Sequence, residues 1–208
     1  MCPACLDALA PPGSHPGAGP GDDESLDGVT SLFAFEGSGR QLVVALKYRN
    51  GRALGLPLGA AMAGLVEPAT VDVVTWAPTS AARRHRRGFD QSRLLAGAVA
   101  ATLHRPCWRL LRRGPGPPQT GTSALERRLG PRFEVVGPVP ARVLVVDDVV
   151  TTGATLAAAA RALRGRGATR VMALTAAATP RRHPVSTGPT GPAGPTEKPQ
   201  GRRRVGRE

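Results

Sequence analysis

The chain is poor in aromatic residues, in cysteine and in acid. Only 3% of its 208 residues are aromatic, so any core must be built from aliphatic side chains, chiefly Ala, Val and Leu. The three cysteines do not make the even set expected of a disulfide framework in a secreted domain. No apolar run approaches the roughly 18 residues of a membrane-spanning helix. The N-terminus has neither the charged start nor the apolar stretch of a signal peptide, so the expected location is the cytoplasm. No segment matches G-x-x-x-x-G-K-[ST] or G-x-G-x-x-G, which removes the P-loop and the dinucleotide fingerprint. Signatures of RRM, zinc-finger and helix-turn-helix modules are also missing.

What is present is apolar and basic. Hydrophobic residues make up 41% of the chain, enough for one domain-sized core. Lys and Arg outnumber Asp and Glu 28 to 15, a net charge of +13. That balance points to an anionic partner: nucleic acid, a phosphorylated metabolite or an acidic membrane surface. Arginine is also spread along the whole chain with Ala, Gly and Pro, which equally fits a biased coding composition.

Three regions are expected. Residues 1–28 hold a short apolar piece containing "CPAC" and then a Pro/Gly-rich linker. Residues 29–180 alternate strand-like and helix-like segments. Strands are expected in "VTSLFAFEG", "VDVVTWAP", "CWRLLRR", "ARVLVVDD" and "TRVMALTAAA". Helices are expected in "GRQLVVALKYRNG", "RALGLPLGAAMAGLV", "DQSRLLAGAVAATLH" and "TLAAAARALRGRG". The alternation implies an α/β fold with a mostly parallel sheet flanked by helices, and the unbroken apolar strands agree with burial on both faces. Residues 181–208 are basic and Pro/Gly-rich, too poor in apolar surface to offset their ordering entropy, and are expected to be disordered.

The most informative stretch is "VLVVDDVVTTGATL", residues 143–156. A buried strand ends in Asp147 and Asp148, at the edge where open α/β sheets bind ligands. A turn with Thr151, Thr152, Gly153, Ala154 and Thr155 then opens a helix, whose free N–H groups suit a phosphate. Gly153 lets backbone approach a ligand closely. Carboxylates for vicinal hydroxyls or a metal, beside a phosphate cradle, describe a sugar-phosphate site. A helix cap needs only one such side chain, whereas this stretch clusters five polar ones.

This stretch closely resembles the phosphoribosyl pyrophosphate (PRPP) motif of type I phosphoribosyltransferases. The resemblance implies a type I phosphoribosyltransferase-like fold and glycosyltransferase activity, with Mg2+ bound alongside PRPP. Asp147 and Asp148 would hold the ribose hydroxyls, and Thr151, Thr152, Gly153, Ala154 and Thr155 the 5′-phosphate. With "LKYRNG" (46–51), "RRHRRGFDQSRLLA" (83–96) and "PQTGTSALERR" (118–128), the chain resembles the ComF family, phosphoribosyltransferase-like proteins linked to natural competence, over roughly residues 29–178. That likeness implies a role in DNA uptake, with single- or double-stranded DNA and a competence helicase-type protein as partners. The alternative to an enzyme is a PRPP- or nucleotide-binding protein without turnover.

Three departures from the family stand out. Asp90 occupies the place of an asparagine in "RGFDQ", so an amide donor is lost. "TWAP" (75–78) replaces V-P-V-P where the pyrophosphate loop belongs. A zinc ribbon with two C-x-x-C pairs is reduced to Cys2 and Cys5. His15 supplies at best a third ligand and Cys107 belongs to the main domain, so zinc is not expected. The pair begins at residue 2, and a start inside a longer reading frame is the expectation.

The remaining candidates concern the leaving group. Thr79 and Ser80 are placed to donate to pyrophosphate, and Arg83, Arg84, Arg86 and Arg87 to neutralise it or simply to form a solvated basic helix end. Lys47 either faces the same cavity or closes a helix at its negative pole. The insertion from Arg112 to Arg132 is long for a connection and fits a lid, with Gln119, Arg127 and Arg128 as contacts, or a spacer.

Overall fold

The computed structural model describes residues 9, 11, 24–48, 51–114 and 130–180. The CPAC pair, His15, Arg49 and Asn50, the lid candidates Gln119, Arg127 and Arg128, and the basic tail from residue 181 lie outside the described residues.

Four strands form one parallel sheet: β1 (Gly28–Ala34), β2 (Val73–Trp76), β5 (Arg142–Val150) and β6 (Arg170–Ala178), in the order β1-β6-β5-β2. Helices α1 (Gly37–Lys47), α2 (Arg52–Ala63) and α4 (Gln91–Leu103) cover one face, and α5 (Ala154–Arg164) covers the other. The fold is therefore the α/β class implied by the alternation of segments.

The strands carry this arrangement because successive side chains point to opposite faces. In β5, Leu144 and Val146 join a core with Phe33, Leu46, Leu58, Met62, Leu95 and Val99. Val143 and Val145 join the other core with Val73, Leu156, Leu163 and Val171. Truncating a buried leucine such as Leu144 to Ala costs about 2–5 kcal/mol in such a core. Polar groups inside the sheet are paired, as where Ser31 and Thr175 share a 2.7 Å hydroxyl hydrogen bond across β1 and β6. Helices α2 and α4 approach closely at Gly59, where an added Cβ would meet Ala98 Cβ and the backbone of Leu95 and Val99.

Strand ends set the site. β2 pairs with β5 only as far as Trp76↔Val146, and one further bond links the Ala77 N–H to the Val146 carbonyl. β5 continues beside β6 to Val150. The chain leaves β2 toward α4 on one face and leaves β5 toward α5 on the other. A crevice therefore opens beyond the carboxyl ends of these neighbours, where connections diverge.

Three details differ from the sequence expectation. In "CWRLLRR" only β3 (Leu111–Arg113) is a strand, and Cys107 makes one parallel bridge to Val74. The Leu110 N–H turns instead to Thr75 Oγ1, at 3.3 Å, which ends the pairing along β2. β3 pairs antiparallel with β4 (Phe133–Val135), so Arg112 and Arg113 belong to a ribbon and not to the insertion. Residues 81–87, read as a helix end, form their own helix, α3 (Ala81–Arg87), capped by Ser80 and closed by Gly88 at φ 76°. Three-residue strands and a seven-residue helix are too short to show a period.

Candidate functional site

The crevice holds a cavity of about 280 Å3. Its floor is Asp147 and Asp148 on β5, and its rim is Thr151 and Thr155 from the turn into α5. The opposite wall comes from the turn after β2 and from α3 and α4: Pro78, Thr79, Arg83, Arg87, Gln91 and Ser92. Lys47 from the end of α1 and Arg113 from β3 complete it.

The two carboxylates have different surroundings. Asp147 Oδ1 accepts from Ser92 Oγ at 2.6 Å and from the Asp148 N–H at 2.8 Å. Burial first, and the neighbouring Asp148 carboxylate second, push Asp147 up to about 7, against the pull of those two donors. Asp148 is neutralised directly, with Oδ2 3.0 Å from Lys47 Nζ in a largely buried pair. Lys47 thus faces the cavity rather than only ending its helix. Among the described residues no group of three His, Cys, Asp or Glu side chains forms a metal cluster by itself.

The turn is built for close approach. Gly153 takes φ 75° at the N-cap of α5, a left-handed conformation that costs glycine nothing. No side chain caps the helix conventionally, and Thr152 Oγ1 accepts only a long 3.4 Å bond from the Ala154 N–H. Thr152 is exposed and Ala154 is the first helical residue. The N-terminal N–H groups of α5 are therefore left largely to a ligand or solvent.

On the facing wall the basic groups converge. Arg87 Nη1 donates to Gln91 Oε1 at 3.0 Å, while Arg87 Nε and Gln91 Nε2 are buried with no hydrogen-bond partner among the described residues. An unmet buried donor costs about 1–3 kcal/mol, so both call for an acceptor-rich neighbour. Burial, and then the charge of Arg83, lower the pKa of Arg113, while Asp147 opposes that shift. Asp90 accepts from the Thr79 N–H at 3.1 Å and from the Arg93 N–H at 3.4 Å, capping α4. Both bonds need only an acceptor, so aspartate serves here without the amide donor. Burial raises the Asp90 pKa.

Of the residues singled out in the sequence, Asp147, Asp148, Thr151, Thr155, Thr79, Arg83 and Arg87 meet at one cavity. Ser80 Oγ instead accepts from the Arg83 N–H at 3.3 Å as the cap of α3. Gly153 and Ala154 shape the turn rather than line the space. Gln91, Ser92 and Arg113 were not singled out as site residues. Gln91 and Ser92 sit within the distinctive "RGFDQS" run, a usable signal, whereas the place of Arg113 depends on the pairing of β3 with β4.

A family model described as "Phosphoribosyl transferase domain" matches residues 139–189. Two curated relatives, the adenine phosphoribosyltransferases of Mycobacterium avium (strain 104) and Mycolicibacterium paratuberculosis (strain ATCC BAA-968 / K-10), are each 38% identical over 108 residues, covering 45% of this chain. The chain spans 58% of the length of each. A solved purine phosphoribosyltransferase from Pyrococcus horikoshii Ot3 overlaps 56% of this chain and 67% of its own, with a TM-score of 0.36 and 18% identity. Residues 139–189 are thus similar to a phosphoribosyl transferase domain, and within them β5 and the turn into α5 supply the carboxylates and threonines of the cavity.

Proposed function

We propose that the chain binds PRPP in this cavity and transfers its phosphoribosyl group to a nitrogenous base, releasing pyrophosphate. The observation that carries the reading is one small cavity lined by paired carboxylates, a threonine turn, Arg83, Arg87, Arg113 and Lys47, the last paired with Asp148. Asp147 and Asp148 accept from the vicinal ribose hydroxyls. Thr151, Thr155 and the N–H groups of α5 take the 5′-phosphate. Thr79 and the arginines face the pyrophosphate. Gln119 and Arg127, outside the described residues, are the proposed lid contacts to the leaving group.

Asp147 Oδ2 and the Asp148 carboxylate, the latter sharing its charge with Lys47, are the groups that would hold a Mg2+ bound with PRPP. Such an ion would supply charge neutralisation for the departing pyrophosphate. The protein holds C1 of the ribose between the carboxylate floor and the cationic wall, and the wall favours the charge that develops on the leaving oxygen. The C1–O bond breaks with its electron pair staying on pyrophosphate. The acceptor nitrogen's lone pair forms the new C1–N bond, and the nitrogen's proton passes to solvent.

The test is pyrophosphate release from PRPP and Mg2+ with a panel of bases. Adenine heads the panel because both curated relatives are adenine phosphoribosyltransferases. Release with one base supports transfer. PRPP binding without release from any base overturns it in favour of a second reading, a PRPP- or nucleotide-binding protein in DNA uptake of the ComF kind. That reading draws on the net charge of +13 and on the exposed Arg83, Arg84 and Arg86 of α3.

A further inference from the structure

A second and larger cavity, about 760 Å3, lies on the other side of the turn after β2. Pro78 lines both cavities, but otherwise the two differ in chemistry. The second has two cation–aromatic pairs: the Arg93 guanidinium lies 5.8 Å from the Trp76 ring centre, and that of Arg52 lies 5.5 Å from the Phe89 ring centre. Arg84 and Arg109 add two more positive charges. Among the described residues none of these four arginines forms an ion pair with a carboxylate. The one acid in the lining, Asp90, is already an acceptor for two backbone N–H groups.

One position on the α4 wall is bare backbone, between Leu94 and Ala98. Gly97 stands inside α4, where glycine costs about 1 kcal/mol relative to alanine. Helical glycines are commonly explained by a close neighbour, as Gly59 is by Ala98. At Gly97 a Cβ would meet nothing within 4 Å, because the position faces the cavity. Among the described residues no packing partner accounts for this exposed glycine, and its missing side chain leaves room for a ligand against the helix.

We propose that this cavity is a nucleotide site separate from the sugar-phosphate cleft, taking a base against the Arg93–Trp76 and Arg52–Phe89 surfaces and a phosphate on Arg84 and Arg109. Guanidinium groups and aromatic rings side by side offer planar faces on which a base stacks. The volume lies within the range of small-ligand pockets. A second copy of the chain is the poorer occupant, because an isologous contact here would set four unpaired arginines against four.

The probe is AMP, followed by titration of the intrinsic tryptophan fluorescence, with inorganic phosphate, ribose 5-phosphate and a thymidine oligonucleotide as comparators. Trp76 lies in the cavity, so AMP should change the emission. Arg93→Ala, which removes a stacking face, should weaken AMP by about tenfold. Gly97→Leu should do the same by filling the space, while its melting temperature stays at or above that of the parent. Asp148→Asn weakens whatever part of AMP binding takes place in the other cleft. In that background the AMP-induced change in emission should persist and still be weakened by Arg93→Ala and Gly97→Leu. The proposal is overturned if AMP does not bind at millimolar concentration, or if inorganic phosphate or ribose 5-phosphate binds as tightly as AMP with the same variant pattern. It is also overturned if Asp148→Asn abolishes AMP binding while Gly97→Leu and Arg93→Ala do not, or if only the oligonucleotide binds. None of these outcomes depends on whether PRPP is turned over.

Discussion

Ser92 Oγ donates to Asp147 Oδ1 at 2.6 Å, joining the first turn of α4 to the end of β5 across 55 residues of chain. The bond favours the ionised form of a carboxyl that burial pushes up to about 7. Binding of a ribose diol needs that ionised acceptor. Affinity for PRPP should therefore rise with pH through about 7 and level off above it. Ser92→Ala should move the midpoint to higher pH, because the ionised form loses a donor. A pH series of PRPP titrations reads both, and an unshifted midpoint in the variant would remove Ser92 from the site.

Stability should show the opposite sign. Asp147 has an ordinary value of 3.8 when unfolded and about 7 when folded, so the native state holds the extra proton between them. The stability this group contributes at low pH is lost as pH rises from about 4 to about 7, then stays flat. Asp147→Asn should flatten that part of the profile in denaturant titrations at several pH values.

PRPP with Mg2+ should raise the melting temperature, since a ligand of the native state alone must stabilise it. No shift at millimolar PRPP in a folded sample would count against the sugar-phosphate reading.

Asp147→Asn and Asp148→Asn should each weaken PRPP by about ten- to hundredfold, the worth of a hydrogen bond to a charged group of roughly 1.5–3 kcal/mol. Asp148→Asn also leaves Lys47 without its 3.0 Å partner, so this variant should lose some stability as well. Calorimetric titration beside thermal melting separates the two effects.

Gly59→Val should destabilise by about 1–3 kcal/mol through overpacking, because its Cβ has nowhere to go between α2 and α4. The shift in denaturant midpoint measures it. A neutral result would mean that these helices separate more easily than their contact implies.

Duplex DNA, if bound, should be held through phosphates, with affinity falling steeply in salt at a log–log slope of about −0.9 per contact. Deleting residues 181–208 should flatten the slope and leave PRPP binding intact. If the truncated chain keeps the full slope, Arg83, Arg84 and Arg86 on α3 become the contact, and their alanine variants should lower it.

Much of the protein was legible in its sequence because the relevant physics is local. Short unbroken Val and Leu runs fit two-sided strands, and the helical segments of the chain alternate with them, so the α/β class and parallel sheet followed. Asp147, Asp148 and the Thr151–Thr155 turn are contiguous, so their shared chemistry needed no tertiary information. The facing wall had no such continuity. Ser92 and Gln91 reach the cavity only because β2 and β5 are neighbours whose chains leave to opposite faces, and Arg113 lines it from β3. Lys47, named in the sequence as one of two possibilities, needed the packing of α1 to bring it to Asp148. Arg113 further depends on the three-residue pairing of β3 with β4, too short to leave a period in the sequence. The raised Asp147 and the arginine-lined second cavity belong to the same class, since burial and the meeting of distant cations are properties of packing and not of any one segment.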